Sequence, residues 1–193
     1  MKAYCLILPF APLLLPSAQA QRQTFEADPA KSQVQFTLEA TLHAVHGTFH
    51  LEHGTLSFSR NSSEMSGLIA VDAHSGDSGE GSRDKKMTQD ELKADKFTAI
   101  TFAPKSYTGE IAAEGDSDIV VRGAFTLLGS PHDIAVPMHI HIAQSMCNAK
   151  GSFEVPFVQW GMKDPSSFVL KVNKQVTIAL DLTGTLSPAA TQK

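Results

Sequence analysis

Between short polar or glycine-bearing clusters, the chain alternates apolar and polar side chains. Val34, Phe36, Leu38, Ala40 and Leu42 share one parity. Ile119, Val121, Gly123, Phe125 and Leu127 do the same, as do Ile134, Val136, Met138, Ile140 and Ile142. Phe168, Leu170 and Val172 keep the parity of Val176, Ile178, Leu180 and Leu182, and a shorter run joins Met65, Gly67, Ile69 and Val71. Successive strand residues point to opposite faces, so each run predicts a strand with one apolar and one polar face. Antiparallel strands covered on one side read this way, whereas buried parallel strands read as continuous apolar runs. Phe49 and Leu51 fall out of phase with Leu56 and Phe58, which predicts a bulge or tight turn near Gly54.

One segment predicts a helix. Thr88-Gln89-Asp90-Glu91 has the form of a capping box, and Leu92, Lys93 and Ala94 favour helix. Ahead of it, the Ser/Gly/acidic stretch 74–82 predicts a mobile surface loop. Eight or so antiparallel strands with one short helix need a closed or nearly closed arrangement, because open edges invite pairing between molecules. An up-and-down barrel removes the edges, and a β-sandwich packs the same elements. Periodicity leaves both open.

Composition changes the picture first at the N-terminus. Lys2 precedes an uncharged run rich in Leu, Phe and Pro, and Ala18-Gln19-Ala20 matches a small-x-small cleavage pattern. Residues 1–20 therefore read as a secretory signal peptide cleaved near Ala20, leaving residues 21–193 as one exported domain, periplasmic or secreted. The run is too short and too proline-rich to span a bilayer. The 193 residues carry a net charge of −4, which gives no electrostatic footprint for nucleic acid or anionic membranes. Of two cysteines only Cys147 survives cleavage, so no internal disulfide is expected.

Histidine is the first candidate for chemistry. His43, His46, His50 and His53 would share one face of a helix, but Val45, Gly47 and Thr48 favour extended chain. In a strand, His46 and His50 stand roughly 13 Å apart, too far to chelate one ion. His139 and His141 are neighbours on one strand face, opposite the apolar one, with no Cys or carboxylate at zinc-ligand spacing. They read as surface histidines, with a His-dependent metal-binding protein or cell-envelope enzyme as the alternative. Gly76-Asp77-Ser78-Gly79 repeats the letters around a serine-protease nucleophile, but the chain is too short for the two barrels such a triad needs. The densest basic patch is Arg83-Asp84-Lys85-Lys86 with Lys93 and Lys96, a solvated helix approach or a clamp on an anionic head group. Eleven Phe against two Tyr fit either a packed core or a lining for an aliphatic guest.

The ordered motifs resemble the YceI-like periplasmic proteins over residues 25–185. They comprise Asp28-x-x-Lys31-Ser32-x-Val34-x-Phe36, Val45-x-Gly47-x-Phe49, Gly54-x-Leu56 and Val71-Asp72-Ala73. Arg83-Asp84-Lys85-Lys86-Met87, Asp95-x-Phe97 and Ile100-x-Phe102 follow in order. Gly123-x-Phe125-Thr126-Leu127-x-Gly129 is similar to the family's central hairpin, and Trp160-Gly161-Met162 stands where the family shows a Phe-Gly step. Glu39 or Ala40 stands where the family often has a His, and Gly79-Glu80-Gly81-Ser82 where it commonly has another.

The resemblance implies an all-β fold: an extended, lipocalin-like, eight-stranded antiparallel barrel with one short helix. It further implies an interior tunnel holding a polyisoprenoid or similar long-chain lipid or quinone, with no catalysis and no cofactor. On that reading Phe36, Leu38, Phe102, Ile119, Val121, Phe125 and Phe153 line the tunnel, with Trp160 near it and Arg83 and Lys86 at its mouth. The protein is then an exported carrier or sequestering protein, and whether it is a monomer or a homodimer stays open.

Overall fold

A computed structural model describes residues 22–41, 43–166 and 171–189. The expected signal peptide, Leu42, Phe168 and Leu170 lie outside the described residues. Ten strands follow one another as β1 (Arg22–Ala27), β2 (Gln33–Leu38), β3 (Val45–Phe49), β4 (Leu51–Ser59) and β5 (Met65–Asp72), then β6 (Ala99–Gly109), β7 (Gly115–Leu127), β8 (Ser130–Ala143), β9 (Met146–Val155) and β10 (Val176–Pro188). All pairings between them are antiparallel.

The ten strands occupy eight wall positions. One edge of β10 is shared, with β2 pairing along 177–181 and β1 along 184–188. β3 pairs β2 and β4 pairs β1, so β1 with β2, and β3 with β4, each form one interrupted strand of the wall. From β4 the ring runs through β5, β6, β7, β8 and β9 back to β10, and the β1–β10 pairing closes it. Closure rather than sandwich packing disposes of the edges. A register shift between Leu51 and His53 accounts for the change of phase seen in the sequence, slightly before Gly54. A second shift, between Pro104 and Ser106, has no counterpart in the apolar pattern.

Alternation translates directly into inside and outside. Along β7, Ile119, Val121, Phe125 and Leu127 are buried, while Asp118, Arg122 and the other intervening residues are more exposed. The end of the barrel away from the β7–β8 turn is filled with side chains. Phe25, Phe58, Met65, Tyr107, Ile119, Ile142, Cys147 and Leu182 pack there as one core. The Tyr107 hydroxyl donates to the Ser59 carbonyl at 2.8 Å, and Arg60 Nε to the Ile111 carbonyl at 3.1 Å. Burial in this core pushes the Cys147 thiol up to about 11, so it stays protonated and unreactive at neutral pH.

The helix starts earlier than its sequence signals indicate. α1 (Gly81–Lys86) runs into a π-helical turn at Met87–Glu91. Its cap is the Glu80 carboxylate, which accepts from the Ser82 and Arg83 backbone N–H groups at 3.1 and 2.9 Å. The Thr88 hydroxyl instead donates back to the Asp84 carbonyl at 2.9 Å, so the apparent capping box lies inside the helical stretch. The stretch 74–82 is also not a free loop. Asp77 and Thr48 exchange backbone hydrogen bonds of 2.8 and 3.0 Å. Gly76 fits because it lacks a side chain: a Cβ there would stand 2.5 Å from Met87 Cε and 2.8 Å from Phe49 Cε1.

Candidate functional site

The barrel is hollow at the end bearing α1 and the β7–β8 turn. An apolar cavity of about 410 Å³ opens there, and a second of about 110 Å³ lies deeper. Phe49, Ile100, Phe125 and Ile178 line both, forming a neck between them. The neck is held by aromatic packing. Phe36 lies 5.5 Å from Phe49, centroid to centroid, and Phe125 lies 5.6 Å from Phe153, edge to face.

The residues singled out by the sequence separate by height. Phe36, Leu38, Arg83 and Lys86 line the outer cavity, and Phe102, Val121 and Phe153 the inner one. Phe125 borders both. Ile119 sits in the filled end, 3% exposed, although it precedes Val121 by two residues on the same face of β7. Trp160 packs behind the lining, 5.9 Å from Phe125 and stacked on His132 at 4.0 Å and 7°.

Other residues in or behind the lining carried weaker signals. His132 keeps the inward parity of Ile134 to Ile142 one step closer to the turn, and its Nε2 is buried without a hydrogen-bond partner among the described residues. Met87, Leu92, Phe157 and Met162 close the outer cavity from segments without strand alternation. Lys163 joins Arg83 and Lys86 at the rim, and only the chain path after Trp160 brings it there.

Arg83 is aimed by its neighbours. Its Nε donates to Ser78 Oγ at 2.7 Å, and Nη2 donates to the Ser78 carbonyl at 3.0 Å. The Ser78 hydroxyl donates in turn to Asp84. Ser78 thus serves to hold the guanidinium, with Asp84 rather than a histidine taking its hydrogen bond. The Glu80 carboxyl is held below the ordinary carboxylate range, chiefly by the Ser82 hydroxyl and then by the two backbone N–H groups.

The histidines singled out by the sequence lie elsewhere. His43, His46, His50 and His53 are all exposed, with His46 Nδ1 hydrogen-bonded to Thr37 at 3.0 Å. Among the described residues, no three His, Cys, Asp or Glu side chains are arranged to hold a metal ion. His139 and His141 stand on the outer wall opposite Asp118 and Asp116, at 2.9 and 2.7 Å. The hydrogen bond to Asp118 raises His139 above the ordinary imidazole value. The bond from His141 leads the causes that lower Asp116 below the ordinary carboxylate value.

A group with a raised folded pKa stabilises below its unfolded value and loses that contribution as pH rises through the folded one. A depressed carboxylate does the reverse, so the contributions of His139 and Asp116 are both fully present between about pH 4 and 6.5. An NMR titration is expected to give His139 a midpoint above that of a free imidazole, and Asp118→Asn is expected to bring it down. A midpoint unmoved by Asp118→Asn refutes this assignment.

Residues 25–184 match the YceI-like domain. Among solved structures, the chain resembles Burkholderia cenocepacia BcnA, with 17% identity and a TM-score of 0.66 over 81% of this chain and 98% of that one. A Saccharophagus degradans domain described as polyisoprenoid-binding aligns at 13% identity and a TM-score of 0.67, over 84% and 98%. The Campylobacter jejuni YceI protein aligns at 16% and 0.57, over 96% and 98%. No curated protein matches by sequence. Among the described residues, no helix is long and apolar enough to cross a membrane.

Proposed function

Because the chain belongs to the YceI-like domain family, we propose that it is a non-catalytic binding protein that takes a polyisoprenoid or similar long-chain lipid into the open end of its barrel. The observation that carries this reading is the apolar cavity of about 410 Å³ leading through the Phe49–Phe125 neck into a deeper one. Its size suits an organic guest. Each methylene moved from water into such a lining contributes about 0.8 kcal/mol, so a long tail gathers enough to outweigh the cost of ordering it. The Saccharophagus degradans domain, described as polyisoprenoid-binding, supports the choice of guest. Phe36, Leu38, Phe102, Val121, Phe125 and Phe153 serve as the lipid-facing wall. Arg83 and Lys86 meet the head group, and Trp160 buttresses Phe125.

The leader-like residues 1–20 support an exported protein, one that carries or sequesters its guest in the periplasm or outside the cell. In such an aqueous compartment, a free apolar tail needs a protein cover or a membrane. The test is to express the full chain, purify it from periplasm and medium, extract it with organic solvent and identify the extract by mass spectrometry. A stoichiometric long-chain lipid is expected. A protein that emerges empty and takes up no prenyl or alkyl compound of any length overturns the proposal.

A further inference from the structure

The hollow part of the barrel stops well short of its far end. Leu182 lines the inner cavity and is also part of the packed core, where Tyr107, Ile140 and Cys147 are each 8% exposed or less. A tail cannot thread past this packing. At roughly 30 Å³ for a water-sized heavy atom at liquid density, the outer cavity holds about 14 such atoms and the inner about 4.

The rim has its own bias. Arg83, Lys86 and Lys163 line it beside Glu80 and Glu91. Both carboxylates are occupied by backbone donors: Glu80 by the start of α1, and Glu91 by the Lys163 N–H at 3.2 Å. Every Asp and Glu of the chain is among the described residues, and none lies within ion-pair distance of these three cations. A neutral head group would leave Lys86, Lys163 and the part of Arg83 that Ser78 does not hold to water. A carboxylate or phosphate would gain charge-assisted hydrogen bonds beside an apolar wall, where such bonds are stronger.

We infer that the guest is a single-chain anionic amphiphile with a tail of about 15 to 20 carbons, a refinement that rests on the lipid-binding reading above. The head is a carboxylate or a phosphate at the Arg83, Lys86 and Lys163 rim, and the tail ends against Leu182.

Trp160 is the only tryptophan and packs on Phe125, so its fluorescence reports occupancy of the neck. The delipidated protein would be titrated with geranylgeranyl phosphate, geranylgeraniol, octaprenyl phosphate and hexadecanoate, with calorimetry as a second readout. Geranylgeranyl phosphate is expected to bind about tenfold more tightly than geranylgeraniol and than octaprenyl phosphate. The double variant Lys86→Gln/Lys163→Gln should shrink the preference over the alcohol to the part owed to Arg83, while still binding the alcohol. Whichever of geranylgeranyl phosphate and hexadecanoate binds more tightly names the source of the anion, and either supports the inference.

Octaprenyl phosphate binding as tightly as the shorter phosphate overturns the length limit. Geranylgeraniol binding as tightly as its phosphate overturns the anionic head. Both of those results leave lipid binding standing, whereas failure of every compound removes the proposed function itself.

Discussion

Replacing Gly184 with valine is expected to abolish the cooperative fold. Gly184 lies on β10 opposite Cys147 of β9 on one side and Ala27 of β1 on the other. It therefore sits at the pairing that closes the ring. A Cβ at this position would overlap the Glu26 carbonyl oxygen and stand 2.7 Å from Phe25 Cε2 and 2.8 Å from the Ala27 Cα.

Two of those three neighbours are backbone of β1, which cannot swing aside without leaving β10 or β4. Ordinary overpacking costs about 1–3 kcal/mol, because flexible side chains absorb it. Here closure itself is disturbed, and the cost should exceed about 4 kcal/mol, a large part of the stability of a typical domain. Urea denaturation monitored by near-ultraviolet circular dichroism measures it. Gly81→Ala is the control. Nothing lies within 4 Å of a Cβ there, and the position is helical. Alanine at that site should be neutral or stabilising by up to about 1 kcal/mol. A Gly184→Val protein with the wild-type midpoint would sink the closure argument.

The second large effect is expected at the neck. Phe125 is 8% exposed, borders both cavities and contacts Phe153 and Trp160. In a His132→Leu background, which removes the imidazole directly opposite it on β8, Phe125→Glu places a carboxyl group among apolar side chains. Desolvation disfavours the charged form and should raise the glutamate pKa by about 3 units, equivalent to ~4 kcal/mol. A carboxyl raised in the folded state costs nothing extra below its unfolded pKa. The penalty grows as pH rises from there toward the folded value.

Phe125→Glu and Phe125→Gln should therefore match in stability below about pH 4 and diverge by neutrality. Uptake of a prenyl or alkyl chain at neutral pH should fall about a hundredfold in the glutamate variant. The glutamine variant isolates the loss of the ring from the gain of a charge. Equal melting temperatures for the two variants at both pH values would show that the neck is wet rather than apolar.

The two variants probe different layers of what the amino-acid order encodes. The strands were legible because each presents one face to the interior and one to water. His132 to Ile142 on β8 and Ile119 to Leu127 on β7 keep that parity throughout. The helix start was misread because Thr88 and Glu91 carry the letters of a cap, while the working cap is a glutamate acting from just ahead of Gly81. Side-chain chemistry at a helix end depends on where the backbone turns, and here contacts of 74–82 with Thr48, Phe49 and Met87 decide that. Lys163 and Met162 gave no periodic signal because they reach the rim from an irregular segment.

Sequence alone determined the class of the protein: two-faced antiparallel strands, an apolar interior rich in Phe, and the motif order of its family. Tertiary structure decided which inward positions meet one another and which face empty space. Ile119 and Val121 are two residues apart on one strand and one face, yet Ile119 belongs to the packed end while Val121 also borders the inner cavity. Parity is a local property of the backbone, set every second residue. A void depends on the summed volume of side chains arriving from all eight wall positions at one height, and no single stretch of chain contains that information.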